Sequence, residues 1–243
     1  MCGFVGFASA KHNAEEAKKT VKAMADLIAH RGPDGEGFYV DDRAALGHRR
    51  LSIIDLAGGA QPMFNEDGSL VIVYNGEAYN FMELRGQLIA AGHTFATQSD
   101  TEVLLHGYEQ WGKDLPAKLR GMFAFVIWDK TTGTLFGARD IFGIKPFYYY
   151  QNEQGELLFG SEIKSFLPHP GFKKELNEER LPEYLSIEYI PNEETMFKGV
   201  YKLPGAHMFT WRAGSLEIER YYNTAYHIDE GRTLAEWEAA ITE

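Results

Sequence analysis

One cysteine, Cys2, is all that this chain of 243 residues contains. A single thiol makes no internal disulfide, so the oxidised frameworks of small secreted domains are excluded. Basic residues are also scarce. Lys and Arg number 24 against 35 Asp and Glu, a formal net charge of −11. That balance repels phosphate backbones and argues against nucleic acid as a partner. No apolar run approaches the ~20 residues of a membrane-spanning helix. No basic segment followed by a long apolar stretch opens the chain, which argues against a signal peptide and against a membrane. A reducing cytoplasm is the expected setting. Internal repeats and low-complexity tracts are lacking too. What is present is the composition of a packed protein: 44% hydrophobic and 14% aromatic residues, too apolar for disorder. The length suits one large domain or two small ones.

Hydrophobic patterning supplies the elements. Residues 2–8 are apolar and glycine-spaced and read as a strand. Val21, Met24, Leu27 and Ile28 fall at helical spacing and predict a helix over 14–30. "HRGPDGEG" (30–37) is a turn cluster. "FYV", "AALGH" and "RLSIID" read as short strands, and "LVIVYN" (70–75) as a continuous apolar one. A helix is predicted from an Asn80 cap to a stop at Gly92. Another opens with a Ser99-x-x-Glu102 capping box and ends at Gly112. "MFAFVIWD", "TLFGARD", "PFYYYQ" and "LLFGSE", separated by turn signals, predict consecutive antiparallel strands. "NEERLPEYLS" reads as helical, "HMFTW" and "LEIERYY" as strands. Regular β-α-β alternation is missing, which argues against a doubly wound parallel sheet. The expectation is an α+β fold, two antiparallel sheets packed face to face with helices outside. Residues 223–232 are polar and linker-like. Thr233-x-x-Glu236 is a second capping box that starts a helix without a stop signal. The expected division is therefore a domain over 1–222, then a linker and the start of a helix over 223–243, leading to a further domain.

The lone thiol sits directly behind Met1. Initiator methionine is normally removed before a small residue, which would make Cys2 the first residue. A thiol needs a base to become a nucleophile. The α-amine of a terminal cysteine, with an ordinary pKa of roughly 7.7–8.0, is such a base. Alone, Cys2 reads more simply as a small buried hydrophobe. Other features extend the catalytic possibility. Asn75 and Gly76 offer a side-chain amide and a backbone N–H as paired oxyanion donors, although Asn-Gly is foremost a hairpin turn. Arg49 and Arg50 could grip a carboxylate or lie solvated at the surface. Asp100, at a predicted helix start, could bind an ammonium or only favour the helix dipole. Together these groups match a free α-amino acid whose side-chain carboxamide is to be cleaved, glutamine above all.

The chain resembles the class II glutamine amidotransferase domain, the glutaminase half of asparagine synthetase B-type enzymes. The stretches that carry the resemblance are "MCGFVGF", "HRGPDGEGFY", "LGHRRLSIIDLAGGAQPM", "VYNGEAYNF", "SDTEVLLHGYEQWG", "LRGMFAFVIWD", "ARDIFGIKPFYYY" and "GSEIKSF". They run in family order to about residue 167, with weaker similarity beyond. "AQPM", "NGEAYNF" and "SDTEV" look more like asparagine synthetases than like the phosphoribosylamine or glucosamine-phosphate branches. The resemblance implies an N-terminal-nucleophile hydrolase fold, an αββα sandwich. It implies that Cys2 attacks the glutamine side-chain amide through a thioester. It further implies that Asn75 and Gly76 form the oxyanion hole, and that Arg50 binds the α-carboxylate. Glu77 and Asp100 would bind the α-amino group, and Leu51, Ile53 and Ile54 would line the pocket with backbone. Arg31 is implied to lie near the site. Ala78 departs from the bulkier apolar residue usual there, with packing as the expected consequence. The family's synthetase domain carries an SGGxD loop, which is absent from these 243 residues, as is a Walker A loop. No cofactor is expected in this chain; ATP and Mg²⁺ belong to a C-terminal synthetase domain, the expected partner beside L-glutamine. A homodimer is compatible with the sequence. The competing readings are an amidotransferase or peptide cyclase with another ammonia acceptor, and a non-catalytic regulatory domain of the same fold.

Overall fold

The computed structural model describes residues 1–52, 58–225 and 231–242. The elements among them are β1 (Gly3–Ala8), α1 (Ala14–Asp26), β2 (Gly35–Val40), β3 (Ala44–Arg50), β4 (Met63–Phe64) and β5 (Leu70–Ala78). There follow α2 (Phe81–Ala90), α3 (Asp100–Trp111), α4 (Leu115–Lys118), β6 (Gly121–Asp129), β7 (Thr134–Arg139), β8 (Tyr148–Gln151) and β9 (Leu157–Gly160). The last are α5 (Leu181–Ile187), β10 (Val200–Lys202), β11 (His207–Arg212), β12 (Ser215–Arg220) and α6 (Leu234–Thr242).

Two antiparallel sheets result, in the orders β10-β8-β9-β1-β3-β2 and β12-β11-β7-β6-β5-β4. Their strands show why the fold is layered. Along β6, Ala124, Val126 and Trp128 pack into the core between the sheets, while Phe123, Phe125 and Ile127 pack outward with Leu104 and Leu105 of α3. Side chains alternate with period two, so a strand covered on both faces reads as one apolar run. β1 is covered likewise. Phe4 and Ala8 face the inter-sheet core, and Val5 and Phe7 face Val21, Met24 and Ala25 of α1. Helix, sheet, sheet, helix is the layer order, as expected.

Several local expectations differ. Asn75-Gly76 is no turn: both lie inside β5, opposite Ala124 and Phe123 of β6. The flanking apolar residues of β5 and β6 pair over nine positions and override the turn propensity. "RLSIID" is not a separate strand. Arg50 ends β3, Leu51 and Ser52 are extended outside any strand, and residues 53–55 lie outside the described residues. The first helix stops at Asp26, and Ala29–Arg31 form a separate 3₁₀ turn. Asn80 does not cap α2; its amide instead bridges Lys118 O and Arg120 N. Half of the Ser99–Glu102 box forms. Ser99 accepts from Thr101 N, while Glu102 turns back to Ala96 N and Thr97 N. The Thr233–Glu236 box closes in both directions.

The strand run from β6 to β9 also breaks between β7 and β8, which belong to different sheets. Asp140 makes the crossing. Fully buried, its carboxylate accepts from the N–H groups of Phe123, Phe142, Ile144 and Lys145. That turn carries the chain from one sheet to the other.

A second polar tie joins the sheets directly. His48 of β3 is fully buried and donates Nε2–H to Tyr74 O of β5 at 3.0 Å. The carbonyl partner fixes the Nε2–H tautomer, so Nδ1 is left as a buried acceptor without a partner. Burial pushes the imidazole down to about 4. The unfolded chain protonates His48 near pH 6.5 and the folded chain only near 4, so this contribution is fully present above pH 6.5 and is lost as pH falls toward 4. A gap of that size is worth on the order of 3 kcal/mol. Urea unfolding from pH 7 to pH 4 is expected to show this loss in the wild type, and His48→Gln is expected to flatten the slope by about that amount. An equal slope in the variant would mean that His48 stays protonatable in the folded protein.

Candidate active site

Cys2 precedes β1 by one residue, and its position is fixed from three sides. The register of β1 sets Gly3 opposite Arg49 of β3. Arg31 donates Nε–H to Cys2 O at 2.9 Å, and its Nη1 meets Glu162 at 3.1 Å. The backbone of Leu51 brackets the sulfur, with its N–H 3.3 Å and its carbonyl oxygen 3.4 Å from Sγ. The sulfur thus has a donor and an acceptor in place. The "HRGPDG" loop supports this corner. Gly32 packs against the backbone of Arg49 and Arg50 so closely that any side chain would collide with it. Asp34 accepts from Ser52 N at 2.8 Å and holds the chain leaving β3.

Beside Cys2 opens a cavity of about 80 Å³. Its lining includes Cys2, Arg50, Leu51, Asn75, Gly76 and Glu77, and on the far wall Asp100. Strand alternation separates the paired arginines. Arg49 turns to Asp26 and Glu36 on the helix side, while Arg50 reaches the cavity. The same period puts Asn75 on the face of β5 that carries Val71 and Val73, toward β1. Asn75 is 1% exposed, and its Nδ2 has no hydrogen-bond partner. A buried amide donor left unpaired costs about 1–3 kcal/mol, so its retention points to an acceptor that arrives later.

The second donor follows from the ladder. β4 pairs only with Val71 and Ile72 of β5, so beyond Ile72 the edge of β5 is open. Backbone groups of alternate residues point to that edge. Tyr74 N donates there to Gln61 Oε1 at 2.6 Å, and Ala78 N to Asp100 Oδ2 at 3.1 Å. The Gly76 N–H lies between them and points the same way. A Cβ on Gly76 would stand 2.5 Å from Met122 O, so glycine is demanded by a close backbone approach, with φ playing no part.

Asp100 starts α3 and is 5% exposed. Burial pushes its carboxyl up, against the pull of donors from Ala78 N and Tyr74 OH. The Tyr74 phenol is driven well above its ordinary range, by burial first and by the Asp100 charge second. Tyr74 OH donates to Asp100 Oδ2 at 3.0 Å, and the Asp100 side chain lines the cavity. Ala78, whose N–H serves Asp100, is itself fully buried in the outer core.

Of the residues singled out by sequence, Cys2, Arg50, Leu51, Asn75, Gly76, Glu77 and Asp100 share this cavity. Ile53 and Ile54 lie outside the described residues. Arg31 supports Cys2 from behind. Gln61, Tyr74 and Lys145 also line the cavity and went unread, as did Gly59, Thr101 and Met122. Tyr74 looked like one more apolar position of β5, and Gln61 and Lys145 carry no local signal beyond their motifs. Away from the cavity, His93, His106 and Glu109 gather ligand-type atoms within 4.8 Å. Glu109 Oε2 is already bonded to His106 Nδ1 at 2.8 Å and Oε1 to Asn65 at 2.8 Å, while His106 Nε2 is buried without a hydrogen-bond partner.

The sequence and the fold have counterparts. Asparagine synthetase [glutamine-hydrolyzing] 1 of Bacillus subtilis is 43% identical over 93% of this chain, and the chain spans 36% of that protein. Asparagine synthetase [glutamine-hydrolyzing] 3 of the same organism is 40% identical over 92% of the chain, again across little more than a third of the relative, 37%. Among solved structures, the glutamine phosphoribosylpyrophosphate amidotransferase from B. subtilis superposes with a TM-score of 0.67 at 19% identity. That match covers 92% of this chain and 50% of that one, and it shows a common fold. The family model described as a glutamine amidotransferase domain matches residues 1–222, from the strand behind Cys2 through the last strand of the second sheet, and the chain belongs to that family.

Proposed function

We propose that this chain hydrolyses the side-chain amide of glutamine, with Cys2 as nucleophile, as the glutaminase domain of a larger asparagine synthetase. The observation that carries the reading is the unpartnered Asn75 Nδ2, buried on the face of β5 turned to Cys2 and next to an outward Gly76 N–H.

Met1 acylates the Cys2 nitrogen and lines the cavity. Its removal leaves a terminal amine on the residue that carries the thiol. That amine, directly or through a water, takes the thiol proton. The thiolate attacks the amide carbon, a C–S bond forms, and the carbonyl oxygen becomes an oxyanion facing Asn75 Nδ2 and Gly76 N–H. Collapse breaks the C–N bond. The proton held by the amine passes to the leaving nitrogen, and ammonia departs. A water, deprotonated by the freed amine, then opens the γ-glutamyl thioester and returns the thiol with glutamate. Arg50 receives the α-carboxylate. Asp100 and Glu77 receive the α-ammonium, so that a zwitterion meets one cation and two anions. The names of the relatives favour asparagine formation as the use of the ammonia, with ATP and Mg²⁺ bound by a synthetase domain after residue 222, in the cytoplasm.

Cys2→Ala is expected to abolish glutaminase activity with unfolding unchanged; residual turnover near wild type would end the covalent mechanism. Protein that keeps Met1, checked by mass spectrometry, is expected to be nearly inactive for want of the amine, and full activity in such a sample would exclude the amine as base. Asn75→Ala is expected to lower kcat by about 10²–10³-fold with little change in KM, the usual effect of deleting an oxyanion donor. Steady-state kinetics decide this, and a pure KM effect would make Asn75 a ground-state contact. Arg50→Lys is expected to raise KM for glutamine, since a point charge replaces a planar fork; an unmoved KM would place the α-carboxylate elsewhere.

A further inference from the structure

Lys145 brings a second cation to the cavity that holds Arg50. It is 5% exposed and lines the same wall as Cys2 and Glu77. Among the described residues its Nζ has one hydrogen-bond partner, the Met1 sulfur at 3.5 Å, and a thioether is a weak acceptor. No carboxylate of the described residues forms an ion pair with it. The neighbouring Asp140 is spent: its Oδ1 serves Phe142 N and Ile144 N, and its Oδ2 serves Phe123 N and Lys145 N. Asp100 Oδ2 is taken by Tyr74 and Ala78, and Glu162 pairs with Arg31. A buried ammonium without a counter-charge is costly. Burial and, next, the like charge of Arg31 push its pKa down.

We propose that Lys145 is a positioning residue whose unpaired ammonium holds the terminal amine of mature Cys2 in its free-base form. This rests on the glutaminase reading above. The place of that amine is set by contacts that do not involve Met1, namely the β1 register and the Arg31 bond to Cys2 O. Removing Met1 leaves the nitrogen there and takes away the thioether that Lys145 touches. The ammonium then faces the new amine across the space that the methionine side chain occupied. An isolated terminal amine, with a pKa of roughly 7.7–8.0, is mostly protonated at neutral pH and cannot accept the thiol proton. A second positive charge nearby disfavours that protonation and favours the thiolate. Arg31 acts in the same direction, from behind Cys2. Arg50 adds to it from the cavity wall, while Glu77 and Asp100 oppose it. Lys145 feels the charges of Asp140 and Glu77 but makes no ion pair among the described residues, and it is the cation that touches the residue to be removed.

The test is the pH profile of kcat/KM for glutamine in mature protein, with Met1 removal verified by mass, in wild type, Lys145→Met and Lys145→Arg. The acid limb is expected to move up by about half a pH unit or more in Lys145→Met, so that activity near pH 6.5 falls about threefold further than activity on the alkaline plateau. Lys145→Arg keeps the charge and is expected to keep the limb. An unmoved limb in Lys145→Met, or an equal loss at every pH in both variants, would overturn the proposal in favour of a packing role. The rate of Cys2 alkylation by iodoacetamide against pH gives a second readout without glutamine. Its midpoint is expected to rise in Lys145→Met, and an unchanged midpoint would again overturn the proposal. Absence of turnover in the mature wild type, with the alkylation midpoint still sensitive to Lys145, would defeat the glutaminase reading alone.

Discussion

The bond from His48 to the Tyr74 carbonyl is the constraint on which the site depends. In the proposed mechanism Cys2 borders one sheet and the donors of Asn75 and Gly76 lie in the other, so two separately hydrogen-bonded layers must hold one relative position. Apolar packing between sheets is dense but not directional. The His48 bond adds direction at the strand position where it matters, one residue before Asn75. Because the ring is buried and neutral, it brings a donor without bringing a charge into the core. Gln61 works on the same residue from outside, closing the Tyr74 N–H that β4 is too short to reach. With both groups of Tyr74 satisfied, the next outward N–H along the edge, that of Gly76, is held in a fixed place.

Asp140 performs the complementary task at the back of the site. Its four backbone donors tie Phe123, which stands opposite Gly76 on β6, to the turn that delivers Lys145. One buried carboxylate therefore sets both the strand opposite Gly76 and the turn that brings Lys145 to the cavity of Cys2. Both bridging residues, His48 and Asp140, are polar groups inside the sandwich whose partners are backbone atoms. They fix the geometry of the chain segments that border the cavity.

How much of this was legible depends on the range of the interaction. The layered α+β fold could be read because strands covered on both faces are continuous apolar runs, α1 shows helical spacing and α3 opens at a capping serine and ends at a glycine. The break between β7 and β8 could not, since turn signals look alike whether the next strand returns to the same sheet or crosses over. It took Asp140, four backbone donors and a buried setting to decide it. The site was legible where one residue type carries the chemistry: a lone thiol behind Met1, an arginine at a strand end, a carboxylate at a helix start. Asn75-Gly76 shows the limit. Its local preference is a hairpin, and only the long pairing of β5 with β6 makes it a strand with a donor on one face and a close backbone approach on the other. Tyr74 and Gln61 act through an open sheet edge, which is a property of the assembled sheet and leaves no mark in either residue's neighbourhood.

The distribution of unsatisfied groups makes the same point energetically. Among the described residues five buried side-chain atoms lack a hydrogen-bond partner, and two of them, Arg31 Nη2 and Asn75 Nδ2, belong to residues that hold Cys2 or share its cavity. Buried polar groups in folded proteins are as a rule paired, so such atoms are not scattered at random by folding. His48 Nδ1 is the consequence of a neutral tautomer that donates elsewhere. Asn75 Nδ2 has no such explanation in the fold: its backbone is fully engaged in the ladder with β6, and nothing in the packing calls for an amide in place of an apolar side chain. The surrounding core of Phe, Trp and Leu supplies the stability that tolerates a donor held open.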